Sequence, residues 1–358
     1  MLVLWIVNMP LPPLRASPEM RVLGTANVSL YFVDEKTINI TINYTSYGVS
    51  GAALAAIFNN ATWREYLRDR LISYVKENCA KAVEPEGSGV IKFSKEVEPY
   101  VYFVKGENWS RISIRFNLTG EGEPILGKSG EYWVHYEFRG GFLQLIRGGV
   151  LQWLTVVRPP LPLVLIDVLE VRATLPPGYS AIKVIPEESS ALIDWKNDRV
   201  ILVWLFRDPS IERRNPAVTG IQNLYLDLRD ISSDKREILD KLGNIENSLM
   251  ENLPYSFNHE EILSLLGKVS LARYEERAFQ NLKESYLEEL ISEGEAELRK
   301  IFLVKLLTLS LPLLSLLLSA FFLYKERSIG HIRKLFERIS RLTKESEKIM
   351  SLNSHIPI

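Results

Sequence analysis

The chain has 358 residues, and its 43 lysines and arginines nearly balance its 44 aspartates and glutamates, so its net charge is −1. This balance excludes a protein whose whole surface is built to bind nucleic acid, because such proteins carry a large positive excess. The single cysteine, Cys79, excludes an intrachain disulfide framework, and the four histidines are scattered along the chain. We therefore predict no cofactor, no metal site and no nucleic-acid partner.

The amino-terminal stretch begins with a short apolar run, Leu2–Val7, and reaches small residues at Ala16 and Ser17. A secretory signal peptide combines a basic flank, an apolar core and a small-residue cleavage site. Here the basic flank is missing and the apolar core is short. We predict a signal peptide over residues 1–17, and the alternative is an apolar first strand.

Six N-x-Ser/Thr sequons lie between residues 27 and 119, and no sequon follows them. In residues 27–32, 36–45 and 110–119, apolar and polar side chains alternate, which predicts strands of a sheet with one solvated face. The asparagines fall on the polar side, where a glycan would point to solvent. The predicted glycosylation sites are Asn27, Asn39, Asn43, Asn60, Asn108 and Asn117.

One helix is predicted between these strands, over residues 63–82. Thr62 and Glu65 have the spacing of a capping box at its start. Its apolar side chains recur at helical spacing and are predicted to cover the sheet. They are Trp63, Leu67, Leu71 and Val75, with Tyr74 and Cys79 adjoining. Residues 21–158 are thus predicted to form a glycosylatable β-rich domain, in which His135 is a surface strand residue.

A proline-rich segment, residues 158–162, breaks regular structure and marks a predicted boundary. Before it, residues 140–157 are predicted to form a strand pair or hairpin. The alternative is a surface that contacts a membrane or a partner. After it, residues 163–208 contain four short strand patterns separated by turn signals, which predicts a β-sandwich-like subdomain. This layout resembles immunoglobulin-like modules of microbial surface proteins, by layout alone.

Beyond residue 219, apolar residues recur at alternating spacings of three and four, which is typical of a coiled coil. The predicted stalk, residues 219–300, comprises helices over 219–252 and 259–300. The break at Pro254 allows an antiparallel hairpin or a kinked continuation in a parallel oligomer, so self-association or a surface-protein partner through the stalk is predicted. An ordinary amphipathic helix is the alternative. The seam residues are Ile221, Leu224, Leu228, Ile231, Lys235, Ile238, Leu242, Ile245 and Leu249.

The segment Leu306–Tyr324 has nineteen residues without a charge. As a helix it is about 28 Å long, close to the thickness of a bilayer core, which predicts a transmembrane helix over residues 301–324. The tail, residues 325–358, has eight basic and four acidic residues, whereas residues 251–300 have eleven acidic and six basic ones. The positive-inside rule therefore predicts a single-pass cell-membrane protein with a cytoplasmic tail and an extracytoplasmic amino-terminal part.

The tail has the pattern of an amphipathic helix with a basic face. We predict that this face lies on anionic lipid, and the alternative is a cytoplasmic partner helix. The basic residues predicted to face lipid are Lys325, Arg327, Arg333, Lys334, Arg338 and Arg341.

The predicted fold class is an α+β ectodomain, mostly antiparallel β and sandwich-like, with one covering helix. A long helical coiled-coil or hairpin stalk and a single C-terminal transmembrane helix follow. This layout resembles stalk-type anchors of microbial surface layers and adhesins, which implies a surface-displayed anchor or binding ectodomain. The alternative is a receptor-like subunit that couples the ectodomain to a cytoplasmic partner. Because the sequence has no GxSxG elbow, Walker loop or zinc motif, we predict that the chain is not an enzyme, with a tethered enzyme as a third hypothesis.

Overall fold

The computed structural model describes residues 24–127, 130–146, 168–207, 224–256 and 258–353. These residues form a mixed α+β protein with two β-sheets and one long apolar helix. The predicted signal peptide, residues 1–17, lies outside the described residues, as does the proline-rich boundary at residues 158–162. A sandwich and a coiled-coil stalk are not confirmed.

Twelve strands are present in the described ranges: β1 (Gly24–Phe32), β2 (Thr37–Tyr47), β3 (Lys92–Phe93), β4 (Tyr100–Lys105), β5 (Trp109–Glu121), β6 (Ile125–Leu126), β7 (Tyr132–Phe138), β8 (Val168–Thr174), β9 (Tyr179–Ile185), β10 (Ser190–Asp194), β11 (Arg199–Arg207) and β12 (Leu224–Asp230). The α-helices in the same ranges are α1 (Gly48–Asn59), α2 (Ala61–Ala80), α3 (Gly141–Ile146), α4 (Ser233–Asn252), α5 (His259–Phe279) and α6 (Glu284–Asn353).

The large sheet has the strand order β10-β11-β8-β1-β2-β5-β3, and β4 also pairs with β5. Because side chains alternate between the two faces of a strand, each row of paired residues lies on one face. The row of Val28, Ile42 and Ile114 is buried, and the neighbouring row of Asn27, Asn43 and Ser113 lies on the opposite face. The alternation read from the sequence therefore corresponds to an apolar inner face and a polar outer face.

The small sheet has the order β6-β7-β12-β9 and is antiparallel throughout. Its strand β12 corrects the predicted helix over residues 219–252. Leu224, Leu226 and Leu228 are fully buried on one side, so the local period is two, not three and a half. Leu224 and Leu228 are four residues apart, an even spacing that places both on one face of a strand as well as near each other on a helix. The helix begins only at Ser233.

The inner faces of both sheets share one apolar core with α1, α2 and α3. The prediction of one covering helix is wrong, because α1 also packs there through Leu54 and Phe58. Its glycine- and alanine-rich sequence has little helical apolar period, so it gave no signal. Helix α3 begins at Gly141, where a strand pair or hairpin was predicted.

Helix α2 buries Leu67, Leu71, Val75 and Cys79, as the stripe predicts. Trp63 is instead 39% exposed at the first turn. The N-cap is Asn60 rather than Thr62, because the Asn60 side chain accepts a hydrogen bond from the Trp63 backbone N–H at 3.2 Å.

Residues 163–208 do not form a separate subdomain in the part that the structure describes. Strand β8 lies parallel to β1 in the middle of the large sheet, and β11 and β10 extend the same sheet from β8. Strand β9 belongs to the small sheet. The pairing of β1 with β8 joins residues about 140 positions apart, which turn spacing and alternation along the chain cannot reveal. Strands β10 and β11, adjacent along the chain, pair antiparallel as a hairpin.

The chain divides into two compact units. The β-rich unit comprises residues 1–243 and 270–288, and the helical unit comprises residues 244–269 and 289–358. In the helical unit, an added Cβ on Gly294 of α6 would lie 2.5 Å from Ile245 Cγ2 of α4, so these helices are in close contact. Lys305 of α6 also lies near Asn252 of α4. In the second contact both residues lie further along their helices than in the first, so this part of α4 runs parallel to α6.

Helix α5 runs in the opposite direction within the helical unit. Lys268 Nζ lies 4.0 Å from Glu293, and Glu261, earlier in α5, acts electrostatically on Lys300, later in α6. The helical unit is therefore built from the later part of α4 and the earlier part of α5 in antiparallel hairpin order, together with α6 from residue 289 onward.

The predicted helix over residues 259–300 is interrupted. Helix α5 ends at Phe279, and Gln280 has a left-handed backbone with φ of 48°. The Gln280 side chain donates to the carbonyl oxygens of Arg229 and Asp230, which holds this residue at the end of β12. The helix that contains the apolar segment begins at Glu284, not near His259.

Helix α6 has 70 residues and includes Pro312. Its part from residue 284 to residue 345 contains an 18-residue window with mean hydropathy 2.3, of which 6% is buried. By length and composition this helix is compatible with a membrane span.

Candidate functional site

The outer face of the large sheet carries four of the six sequon asparagines. Asn27 of β1 is paired directly with Asn43 of β2, and Asn39 of β2 is paired directly with Asn117 of β5. Directly paired residues on one face have Cβ atoms about 5 Å apart. The sequence placed these asparagines on polar faces, but only the strand register shows that they stand as two cross-strand pairs.

The remaining two sequons lie outside the strands. Asn60 is exposed and caps α2 through its side-chain oxygen, which leaves its amide nitrogen directed away from that hydrogen bond. Asn108 is exposed in the turn between β4 and β5, and its backbone carbonyl accepts from the Gly48 N–H at 2.9 Å.

Arginine side chains lie over aromatic rings on the same outer face. Arg115 lies over Tyr102 at 5.1 Å, and Arg199 lies over Tyr31 at 4.6 Å. Between them, Ser113 Oγ donates to Asn43 Oδ1 at 2.7 Å. Aromatic rings, guanidinium groups and amides on one face of the sheet give this surface hydrogen-bond donors and stacking faces.

The outer face of the small sheet contains an imidazole–carboxylate pair that sequence reasoning did not find. His135 Nδ1 contacts Asp227 Oδ1 across the paired strands β7 and β12, and each side chain is 31% exposed. The Tyr225 ring lies 6.3 Å from the imidazole. In the described part of the chain, Asp227 is the one hydrogen-bond partner of this imidazole. Residues 135 and 227 are too far apart along the chain for spacing to relate them.

The end of α5 is held in the β-rich unit by Glu276, Arg277 and Gln280, here called the α5 anchor cluster. Arg277 is 1% exposed and donates to Asp198 Oδ1 at 2.8 Å, to the Asp198 carbonyl at 2.6 Å and to the Tyr179 carbonyl at 2.9 Å. Burial lowers the pKa of the Arg277 guanidinium, and the Asp198 carboxylate opposes that shift.

Glu276 is equally buried and forms an ion pair with Lys235 of α4. Its second oxygen accepts from the Leu282 N–H at 3.0 Å. Lys235 was predicted as a polar seam residue of a coiled coil, and its partner is this carboxylate of the same chain. The cluster fixes the last turn of α5 against β12 and the turn before β11.

The other predicted seam residues are distributed over three kinds of structure. Leu224 and Leu228 belong to β12, and Ile231 is buried in the link to α4. Ile221 lies outside the described residues. The α4 positions are buried within the chain and are Ile238, Leu242, Ile245 and Leu249. Self-association through residues 219–300 stays a prediction.

The apolar segment and the tail form one exposed surface of α6. Large side chains from Leu306 to Tyr324 are at least half exposed, with Leu318 at 50% and Tyr324 at 75%. The predicted lipid-facing residues Lys325, Arg327, Arg333, Lys334, Arg338 and Arg341 are also exposed along the same helix. No group of three or more His, Cys, Asp or Glu side chains that could hold a metal ion is found among the described residues.

Comparison with models of protein families gave no match, and no curated protein matched the chain significantly. Among solved structures, the chain has a likeness to the crystal structure of a mutant M1 zinc metallopeptidase from Deinococcus radiodurans, bound to a Tyr-Ser-Ala substrate. The two chains are 11% identical with a TM-score of 0.17, and the match covers 57% of this chain and 41% of that chain. This chain therefore spans less than half the length of that protein.

In view of this likeness we withdraw the prediction that the chain is not an enzyme. The likeness is at the same time too distant to show an enzymatic function, so no activity follows from it.

Proposed function

We propose that the chain is a single-span membrane protein that displays its β-rich unit outside the cytoplasm, as a cell-surface anchor or binding ectodomain. The observation that carries this proposal is the uncharged, exposed segment Leu306–Tyr324 in α6, followed by a basic tail. Such a segment loses contact with water only if lipid or protein covers it, and excess lysine and arginine beside it favours a cytoplasmic tail.

The outer face of the large sheet supports a role in surface display. Four sequon asparagines lie on this face together with arginine–aromatic pairs. A polar sheet face of this kind can carry glycans or contact a polar partner. The chemistry of the face thus supports an interaction role for the extracytoplasmic unit.

The topology can be tested by labelling single cysteines. In a Cys79→Ala background, Glu123→Cys places a thiol at an exposed position after β5, and Ser340→Cys places one in the tail. Intact cells treated with a membrane-impermeant maleimide should label the first variant, and the second should react only after permeabilisation. Labelling of the tail in intact cells would overturn the proposed orientation.

A second candidate function is that of a receptor-like subunit with a cytoplasmic partner. It is favoured by the continuity of α6, which is one helix from Glu284 to Asn353 and so includes both the apolar segment and the tail. Deleting residues 325–358 should then leave surface display intact but eliminate a protein that is cross-linked to the tail in intact cells. If the full chain and the deletion variant give the same cross-linked proteins, this candidate fails.

A further inference from the structure

A groove in the helical unit opens beside the first residues of the apolar segment. Its volume is about 830 Å³, and it is lined by the end of α4 and by one side of α6. Arg299 and Lys305 supply two cations, Asn252 supplies an amide, and Phe302, Leu306 and Leu309 supply apolar walls. This groove is called the juxtamembrane groove below.

The Lys305 ammonium group is held in this groove by uncharged partners. It lies 3.4 Å from Asn252 Oδ1 and 4.8 Å from the ring centroid of Tyr255. Its contacts within the described residues, Asn252 and the Tyr255 ring, include no carboxylate. A cation placed in this way keeps its charge available for an anion, and its position is fixed by the cation–π contact and the amide.

The second cation, Arg299, is similarly available. Its side chain is 81% exposed, and among the described residues its one ion-pair contact is with Glu295 of the same helix at 3.7 Å. A pair of this length and exposure holds the guanidinium weakly. An anion in the groove would therefore meet two cations without first breaking a strong ion pair.

The groove continues past its second cation into the uncharged segment. From Arg299 to Leu309 helix α6 advances about 15 Å, with Phe302 between the two cations and Leu306 and Leu309 beyond Lys305. From Lys305 onward this matches a phospholipid, which passes from a phosphate to an acyl chain. Because Lys305 directly precedes the uncharged segment, its ammonium lies at the depth of lipid phosphates if that segment spans the bilayer.

We propose that the juxtamembrane groove binds an anionic phospholipid, with its phosphate at Lys305 and Arg299, beside Phe302, and its acyl chain along Leu306 and Leu309. The site rests on the proposed function, since it requires residues 306–324 to span the membrane. A free phosphate ion would use the same cations but none of the apolar walls, and a second copy of the chain would use the walls but leave the cations without an anion.

The test uses the full chain in nanodiscs of phosphatidylcholine that contain a small fraction of phosphatidylglycerol. Native mass spectrometry measures how much of each lipid stays bound. The wild-type chain should retain phosphatidylglycerol in preference to phosphatidylcholine, and Lys305→Gln should weaken that retention about tenfold, with a smaller loss for Arg299→Gln. Arg299 is so exposed that its variant tests the site without a risk to folding.

Lys300→Gln is the matched control, because Lys300 is close in sequence but does not line the groove. Any cation near an anionic surface attracts lipid, so a general attraction predicts equal losses for Lys300→Gln and Lys305→Gln. Equal losses, no preference for phosphatidylglycerol, or displacement by millimolar inorganic phosphate would each overturn the lipid site. Dimers that exclude lipid would assign the groove to a second copy instead. A chain that does not enter nanodiscs at all would contradict the membrane anchor itself.

Discussion

Arg277 shows how a buried charge holds one end of a helix. Its guanidinium neutralises Asp198 and satisfies two backbone carbonyl oxygens, those of Asp198 and Tyr179. A buried cation is costly unless its hydrogen bonds are made, and here three acceptors surround it. Nothing along the sequence distinguishes this arginine from exposed ones, because its partners belong to a turn and a strand about 80 to 100 residues away.

Replacing Arg277 with methionine should lower the free energy of unfolding by about 2–4 kcal/mol, because two carbonyl oxygens lose their donor at a buried position. The half-exposed Asp198 carboxylate also loses its ion pair. Chemical denaturation of the full chain in detergent measures the change. Arg172→Met is the control, since Arg172 is 56% exposed and pairs with Glu170 on the sheet surface, where such pairs contribute about 1 kcal/mol or less. Similar losses for both variants would show that Arg277 is not structurally special.

Cys79 makes the free energy of unfolding depend on pH in the alkaline range. Burial raises the pKa of its thiol from 9.0 to about 12. The folded protein thus keeps a proton that the unfolded chain releases near pH 9, so the free energy of unfolding falls as pH rises between these two values. Below about pH 9 the thiol is protonated in both states and contributes no slope.

The Cys79→Ala variant should therefore show a shallower loss of stability between about pH 9 and about pH 11 than the wild-type chain. The comparison is between slopes, because the smaller side chain also changes the absolute stability at every pH. Chemical denaturation of the two proteins at several pH values measures both slopes. Identical slopes for the two proteins would show that the thiol does not titrate differently on folding.

At the scale of elements, two helical glycines with different surroundings test how the helical unit packs. Gly294 of α6 is in contact with Ile245 of α4, whereas a Cβ on Gly267 of α5 would meet nothing within 4 Å. Gly267→Ala should stabilise the chain by about 0.5–1 kcal/mol through helix propensity alone. Gly294→Ala should destabilise it by about 1–3 kcal/mol, since the β-branched Ile245 must move. Thermal denaturation of both variants measures the difference, and stabilisation by both would contradict the contact of α4 with α6.

The paired strands β1, β2 and β5 set a limit on glycosylation. With asparagines about 5 Å apart in each pair, two attached glycans would overlap at their first sugars. In a host that glycosylates exported proteins, glycopeptide mass spectrometry should find Asn27 or Asn43, and Asn39 or Asn117, occupied in one molecule but not both members of a pair. Asn60 and Asn108 should be occupied independently.

A matched pair of variants sharpens this prediction. Asn43→Gln should raise occupancy at Asn27, its cross-strand partner, whereas Asn108→Gln should leave Asn27 unchanged. Intact molecules that carry glycans on both members of a pair would contradict the strand register.

For the whole molecule, the association with membrane should depend on one segment of α6. A chain truncated after Lys300 lacks the apolar segment and should appear in the aqueous fraction after alkaline extraction. A chain truncated after Tyr324 keeps the segment and loses only the basic tail, so it should stay with the membrane pellet. If the shorter chain also stays in the pellet, another part of the molecule binds the membrane.

Local patterns predicted the elements that obey one period throughout. Alternation identified β1, β2 and β5, and the length of the uncharged run identified the helix compatible with a membrane span. Prediction from the local period failed at residues 224–230, where leucines four residues apart fit a helix and a strand equally well. It failed again at Gln280, because the break there depends on hydrogen bonds to β12 rather than on a proline or glycine.

The sequence by itself determined the mixed α+β character, the polar outer faces and the apolar segment, because each follows from neighbouring side chains and from water. Only the tertiary structure decided that β8 lies beside β1, that the sequon asparagines form cross-strand pairs and that His135 meets Asp227. It also decided that Arg277 and Glu276 are buried with partners. These features depend on contacts between residues distant along the chain, and such contacts form only when folding brings the two partners together.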